Sequence, residues 1–156
     1  MSLSKITGHD FSYGVIKDIL ISTTFEKAKN QGPQYLYGGA IDFNLPGFKF
    51  FAANAYVHDS TELDGQTWQV TIAWNRPFQV GETKFLIEGF ADFQGDEGGR
   101  QPNQLIVPRF LVDIGDLAGY TPGKLMAGIE YQYWHNKFGL DGVTESVPQA
   151  QIKWTF

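Results

Sequence analysis

The sequence predicts an all-β chain, an antiparallel up-and-down transmembrane β-barrel of about eight strands in a single domain, 1–156. Three observations predict it. Apolar and polar residues alternate with period two in segments of roughly ten residues, the length a tilted strand needs to cross a bilayer. Within those segments the mid-strand charges fall on one parity. The last stretch, Pro148 to Phe156, is apolar or aromatic at every even position and polar at every odd one, and it ends on a large ring.

Composition narrows the alternatives. With 42% apolar and 15% aromatic residues the chain can form an ordered structure. No apolar run approaches the roughly 18 residues of a membrane helix. A membrane protein with a mean hydropathy of -0.24 must therefore cross with alternating strands. A net charge of -5 argues against a nucleic-acid partner. The absence of cysteine excludes a disulfide scaffold and a thiolate metal site, and His9, His58 and His135 are too dispersed for a metal cluster. No cofactor and no metal is expected. Met1-Ser2-Leu3-Ser4-Lys5 lacks the apolar core of a secretory signal, so an exported protein would carry its signal outside this chain.

The strands follow in order. The first runs from about Val15 to Glu26 and sets Ile19, Ile21, Thr23 and Phe25 against Asp18, Leu20, Ser22, Thr24 and Glu26. After the Lys27 to Pro33 loop, Tyr35, Tyr37, Gly39, Ile41 and Phe43 oppose Gln34, Leu36, Gly38, Ala40 and Asp42. Leu45-Pro46-Gly47 turns the chain into a third strand, Phe48 to His58, with Phe51, Ala53, Ala55 and Val57 against Phe50, Ala52, Asn54, Tyr56 and His58. The fourth alternates most cleanly: Trp68, Val70, Ile72 and Trp74 against Thr67, Gln69, Thr71 and Ala73. Arg76 to Gly81 reads as the next turn. The fifth strand sets Phe85, Ile87, Gly89, Ala91 and Phe93 against Leu86, Glu88, Phe90 and Asp92. Gly95 to Arg100 reads as a solvent loop; it lacks the Lys-Ser/Thr and following helix of a phosphate loop. The sixth strand, to Ile114, opposes Ile106, Pro108, Phe110 and Val112 to Leu105, Val107, Arg109, Leu111 and Asp113, with Pro108 marking a bulge or unpaired point. The seventh sets Leu125, Ala127, Ile129, Tyr131 and Tyr133 against Met126, Gly128, Glu130, Gln132 and Trp134.

Asp18, Glu26, Asp42, His58, Glu88, Asp92, Arg109, Asp113, Glu130 and Lys153 all share the polar parity. A charge facing hydrocarbon at mid-depth costs about 2–4 kcal/mol, so a lipid-facing surface excludes it. A soluble, lipocalin-like barrel would show the same segregation with inside and outside exchanged. The aromatic residues of the oily parity, Tyr35, Tyr37, Trp68, Trp74, Tyr131, Tyr133, Trp154 and Phe156, favour lipid, because interfacial girdles are built from such rings. Glu88 and Asp92 share a face as a carboxylate pair would, but Arg109 on the adjoining strand makes an ion pair with them the expected use. No catalytic constellation is found. With Phe156 at the periplasmic side, the turns at 45–47, 76–81 and 115–123 are periplasmic, and the loops at 27–33, 59–65, 95–103 and 139–145 face outward.

Leu45-Pro46-Gly47-Phe48, Trp68-Gln69, Trp74-Asn75-Arg76-Pro77-Phe78, Gly128-Ile129-Glu130-Tyr131, Tyr133 to Gly139 and the closing Gln149 to Phe156 together resemble the nucleoside-specific channel-forming protein (Tsx) family. The likeness extends over nearly the whole chain. It implies a Gram-negative outer-membrane barrel, twelve-stranded in the family, of which this chain matches the carboxy-terminal part. It also implies passive diffusion of nucleosides or other small polar solutes, a lipid environment, and engagement of the barrel-assembly machinery by the last strand. A general-diffusion or structural barrel is the alternative. The polar parity offers rings and hydrogen-bonding groups suited to a flat base and its sugar: Asp42, Phe50, Asn54, Tyr56, His58, Glu88, Phe90, Asp92, Arg109, Glu130, Gln132 and Trp134. These side chains would equally fill a narrow lumen.

Overall fold

A computed structural model describes the chain except for Ala28, Asn30, Gln31 and Phe156. The girdle assignment of Phe156 therefore lies outside the described residues. Strands β1 (Ile16–Glu26), β2 (Gln34–Phe43), β3 (Phe50–Ser60), β4 (Thr67–Val80), β5 (Thr83–Gln94), β6 (Asn103–Val112), β7 (Leu125–His135) and β8 (Glu145–Trp154) form one sheet in sequence order. Every pairing is antiparallel. The predicted fold class and strand order are those observed. Among the described residues no helix is long and apolar enough to cross a membrane.

The sheet curls so that one face becomes an interior. Leu36, Ala40, His58, Asn75, Leu86, Glu88, Val107, Leu111 and Met126, all of the predicted inner parity, are buried. The opposite parity faces out, with the small Ala91 a buried exception: Trp68 is 53% exposed, Ile129 59% and Ile152 73%. An interior that holds Glu88 at 8% exposure while these apolar side chains stand outside is the reverse of a soluble barrel.

Three differences from the sequence reading have local causes. β4 continues through Arg76 to Val80, leaving only Gly81 and Glu82 as the turn, with Gly81 at a φ of 58°. Pro77 is tolerated there because the β3–β4 ladder ends at Phe50 and Asn75, so beyond that point β4 has a partner on one side only. Arg76 thus lies on the outward parity, but level with the turn at 45–48, where its guanidinium lies 5.5 Å from the Phe48 ring centre. Ile114 leaves β6 and opens a short helix, α2 (Ile114–Leu117), because Asp113 caps it by accepting from the Asp116 N–H at 3.0 Å. Ahead of β1, Leu3–Thr7 forms a one-turn helix, α1, capped by Ser2.

Pro108 interrupts the β6–β7 ladder as expected, since pairing is registered at Ile106 and Arg109 but not between them. Two inward glycines mark close backbone approach. A Cβ on Gly38 would lie 1.8 Å from the Ala55 carbonyl oxygen, and one on Gly128 2.0 Å from that of Phe110.

Candidate functional site

The candidate site is the inner face, read from the turn end to the loop end. At the turn end Leu86, Leu111 and Met126 form an apolar cluster. Above it stand two ion pairs, and their partners differ from the expected ones. Glu88 and Arg109 are opposite each other in the β5–β6 register, yet Arg109 Nε donates to Glu130 on β7, and Glu88 accepts from Lys153 Nζ at 2.7 Å. The reason is geometric. Arg109 also stands directly opposite Glu130 in the β6–β7 register and turns to that neighbour, while the curl brings Lys153 of β8 across the interior to Glu88. Asn75 Nδ2 adds a third bond to Glu88 at 2.8 Å, which satisfies a nearly buried carboxylate.

The middle of the face is built from hydroxyls, amides and rings. Tyr56 stands opposite Gly38, which itself stands opposite Ser22, and the Tyr56 and Ser22 hydroxyls meet at 3.0 Å. The ring crosses β2 because Gly38 has no side chain to obstruct it. The Thr71 hydroxyl donates to Asp92. Asn54 Nδ2 donates to the Thr71 carbonyl at 3.4 Å. Phe90 is half-buried on the same inner parity. Asp42 is half-buried opposite Asp18, whose own carboxylate accepts from the Ser4 hydroxyl at 2.8 Å. Phe50 has the inner parity but, at the turn-end rim, is 47% exposed.

At the loop end a belt of polar side chains runs around the interior. His58 Nε2 meets Gln34 Oε1 at 3.2 Å, and Gln94 Nε2 lies 3.1 Å from His58 Nδ1. Asn103 Nδ2 donates to Gln94 Oε1 at 2.9 Å, and Trp134 Nε1 donates to Asn103 Oδ1 at 3.4 Å. Gln132 donates to Glu145. This belt borders a cavity of about 270 Å³ that includes Gln69, Asp92, Leu105 and Trp134. Of the sequence-derived candidates the cavity gathers His58, Asp92 and Trp134. Glu88, Arg109 and Glu130 lie apart in the ion pairs.

One inner residue escaped the sequence reading. Glu97, assigned there to a solvent loop, is 5% exposed, and its carboxylate accepts from His58 Nδ1 at 2.8 Å and from the Ser60 N–H at 3.0 Å. Its only signal in the sequence is an acid ahead of two glycines, Gly98 and Gly99, which permit a sharp reversal.

On the outer face Tyr35, Tyr37, Trp68, Tyr131 and Trp154 are exposed, and Trp74 and Tyr133 are half-buried. The rings form bands near both ends. Phe25 and Tyr35 lie 5.4 Å apart at the loop end, and Phe78, Phe85 and Phe110 cluster at the turn end with Phe85 5.6 Å from Phe110.

Fold and site together define a curved, up-and-down wall of a β-barrel with a polar, charge-paired interior and an apolar exterior. The proteins it is similar to are outer-membrane proteins. Outer membrane protein OmpK of Vibrio parahaemolyticus is 30% identical over 99 residues, which cover 60% of this chain and 37% of that protein. OmpK of the serotype O3:K6 strain is 26% identical over 108 residues, covering 60% and 39% respectively. The matched part is thus less than two-fifths of the relatives' own length. No family model and no solved structure matches. These similarities bear on an outer-membrane barrel and do not single out the nucleoside channels that the motifs resemble.

Proposed function

We propose that the chain is part of an outer-membrane β-barrel channel through which small polar solutes, nucleosides among them, pass by diffusion without catalysis. The carrying observation is the inversion of burial. Large apolar side chains such as Trp68, Ile129 and Ile152 face outward, whereas Glu88, His58 and Glu97 are buried on the inside. In water that exterior would be a large exposed apolar surface. In lipid it is the surface required, and the ring bands fall where two interfaces would lie.

The nucleoside preference draws on the interior. Tyr56, Phe90 and Trp134 share the inner parity with Asn54, Asp92 and Gln132. Flat bases stack on aromatic rings for about 1–3 kcal/mol each, and sugar hydroxyls suit amides and carboxylates. One observation favours the general-pore reading: Glu88–Lys153, Arg109–Glu130 and Lys137–Glu145 neutralise each other without any ligand. Single-channel conductance of the natural full-length protein in planar bilayers separates the two. Submillimolar adenosine is expected to interrupt the current. Current unaffected by adenosine would leave a general pore, and no current at all would remove the channel.

A further inference from the structure

The segment at 95–102, between β5 and β6, exposes most of its residues to solvent, but Gly95 and Glu97 are buried. It folds over the loop end of the interior and sinks Glu97 into the wall. The carboxylate seats between His58 Nδ1, 2.8 Å away, and the Ser60 N–H, 3.0 Å away, both on β3. Tight reversal after Glu97 is permitted by Gly98 and Gly99, at φ of 54° and 79°, and is closed by the Arg100 N–H donating to the Glu97 carbonyl at 2.9 Å.

A second set of bonds straps this segment to the connection between β7 and β8. The Gln101 N–H donates to the Gly139 carbonyl, Arg100 Nη1 to the Phe138 carbonyl and Asn136 Nδ2 to the Pro102 carbonyl, each at 2.9 Å. The strap is itself held in an unfavourable conformation. Phe138 has a φ of 59°, in the left-handed region that disfavours a residue with a bulky side chain. Its ring is fixed edge-on to Trp134 at 4.6 Å. Such a conformation persists only where surrounding contacts over-determine it.

We propose that 95–102 is a latched lid over the loop end of the interior, with Glu97 as the bolt and His58 with the Ser60 N–H as its socket. A buried carboxylate is stable only while hydrogen-bonded. Seating is therefore two-state: Glu97 is home with both bonds made, or withdrawn into water with the lid raised. Seated, the lid confines the cavity lined by Gln94, Asn103, Leu105 and Trp134. The consequence for transport, that the lid limits the size of the solute admitted, rests on the channel reading above; the latch does not.

The chain contains no cysteine, so with any cysteine outside it replaced by serine a single reporter, Leu105→Cys, can be read cleanly. The natural full-length protein carrying it is folded into phosphatidylcholine vesicles, and its labelling rate by a small methanethiosulfonate is measured. Adding Glu97→Ala is expected to raise the rate at least about tenfold, since two bonds to a charged group are lost. Adding Glu97→Gln, which keeps one acceptor oxygen, is expected to fall between. A Glu97→Ala rate equal to the parent's overturns the latch. If Glu97→Ala fails to fold, Glu97→Gln decides: a rate about threefold or more above the parent's sustains it, and anything lower overturns it. Labelling requires no current, so a protein that labels in this order yet conducts nothing keeps the lid and loses the channel.

Discussion

Glu88 on β5 and Lys153 on β8, 65 residues apart in sequence, meet inside the curled sheet with the ammonium nitrogen within 2.8 Å of both carboxylate oxygens. The contact ties the last strand to the middle of the sheet from within, independently of the β7–β8 ladder. Lys153→Met is expected to destabilise the protein by about 1–3 kcal/mol, the range for a hydrogen-bonded charge reduced by the partial exposure of the lysine. Adding Glu88→Gln is expected to recover part of that loss, because no carboxylate is then left without its cation. Urea unfolding in vesicles, run as a double-mutant cycle, measures the coupling.

The adjacent glycines Gly38 and Gly39 should differ sharply in their tolerance of the same change. A Cβ at Gly38 would sit 1.8 Å from a backbone oxygen, whereas at Gly39 the nearest atom is 3.5 Å away. Gly38→Ala must push β2 and β3 apart and is expected to lose about 2 kcal/mol or more, or to fail to fold. Gly39→Ala is expected to stay within about 0.5 kcal/mol. Folding yield, read from the shift of unheated against heated protein in gel electrophoresis, distinguishes them.

Charge should be tolerated by parity. Ile129→Arg, on the outward face of β7, is expected to cost about 2–4 kcal/mol in a bilayer. Gln149→Arg, on the inner parity of β8 opposite Glu130, is expected to change stability by about 0.5 kcal/mol or less. Equal losses, measured as urea midpoints in vesicles, would contradict the assignment of faces.

What the sequence revealed follows from how local each signal was. Alternation is a property of neighbouring residues, so all eight strands and the facing of Trp68, Ile129, Glu88 and Arg109 were legible. The extension of β4 through Arg76 and Pro77 was hidden, because the proline suggests a turn unless it is known that β3 has already ended. Which cation Glu88 meets was hidden as well. Register places Arg109 beside it, and only the curl brings Lys153 there. Glu97 was least legible of all, since its burial depends on a socket 37–39 residues away that no pattern in its own segment announces.

Tryptophan quenching reports whether the uncharged face of the wall meets lipid. Trp68 faces outward at 53% exposure, and Trp134 faces inward beneath Phe138. Two single-tryptophan variants of the full-length protein, one keeping each residue, are folded into vesicles whose acyl chains carry bromine. With that face in lipid, strong quenching of Trp68 by the brominated chains and little of Trp134 is expected. Strong quenching of Trp134 with Trp68 spared would contradict it.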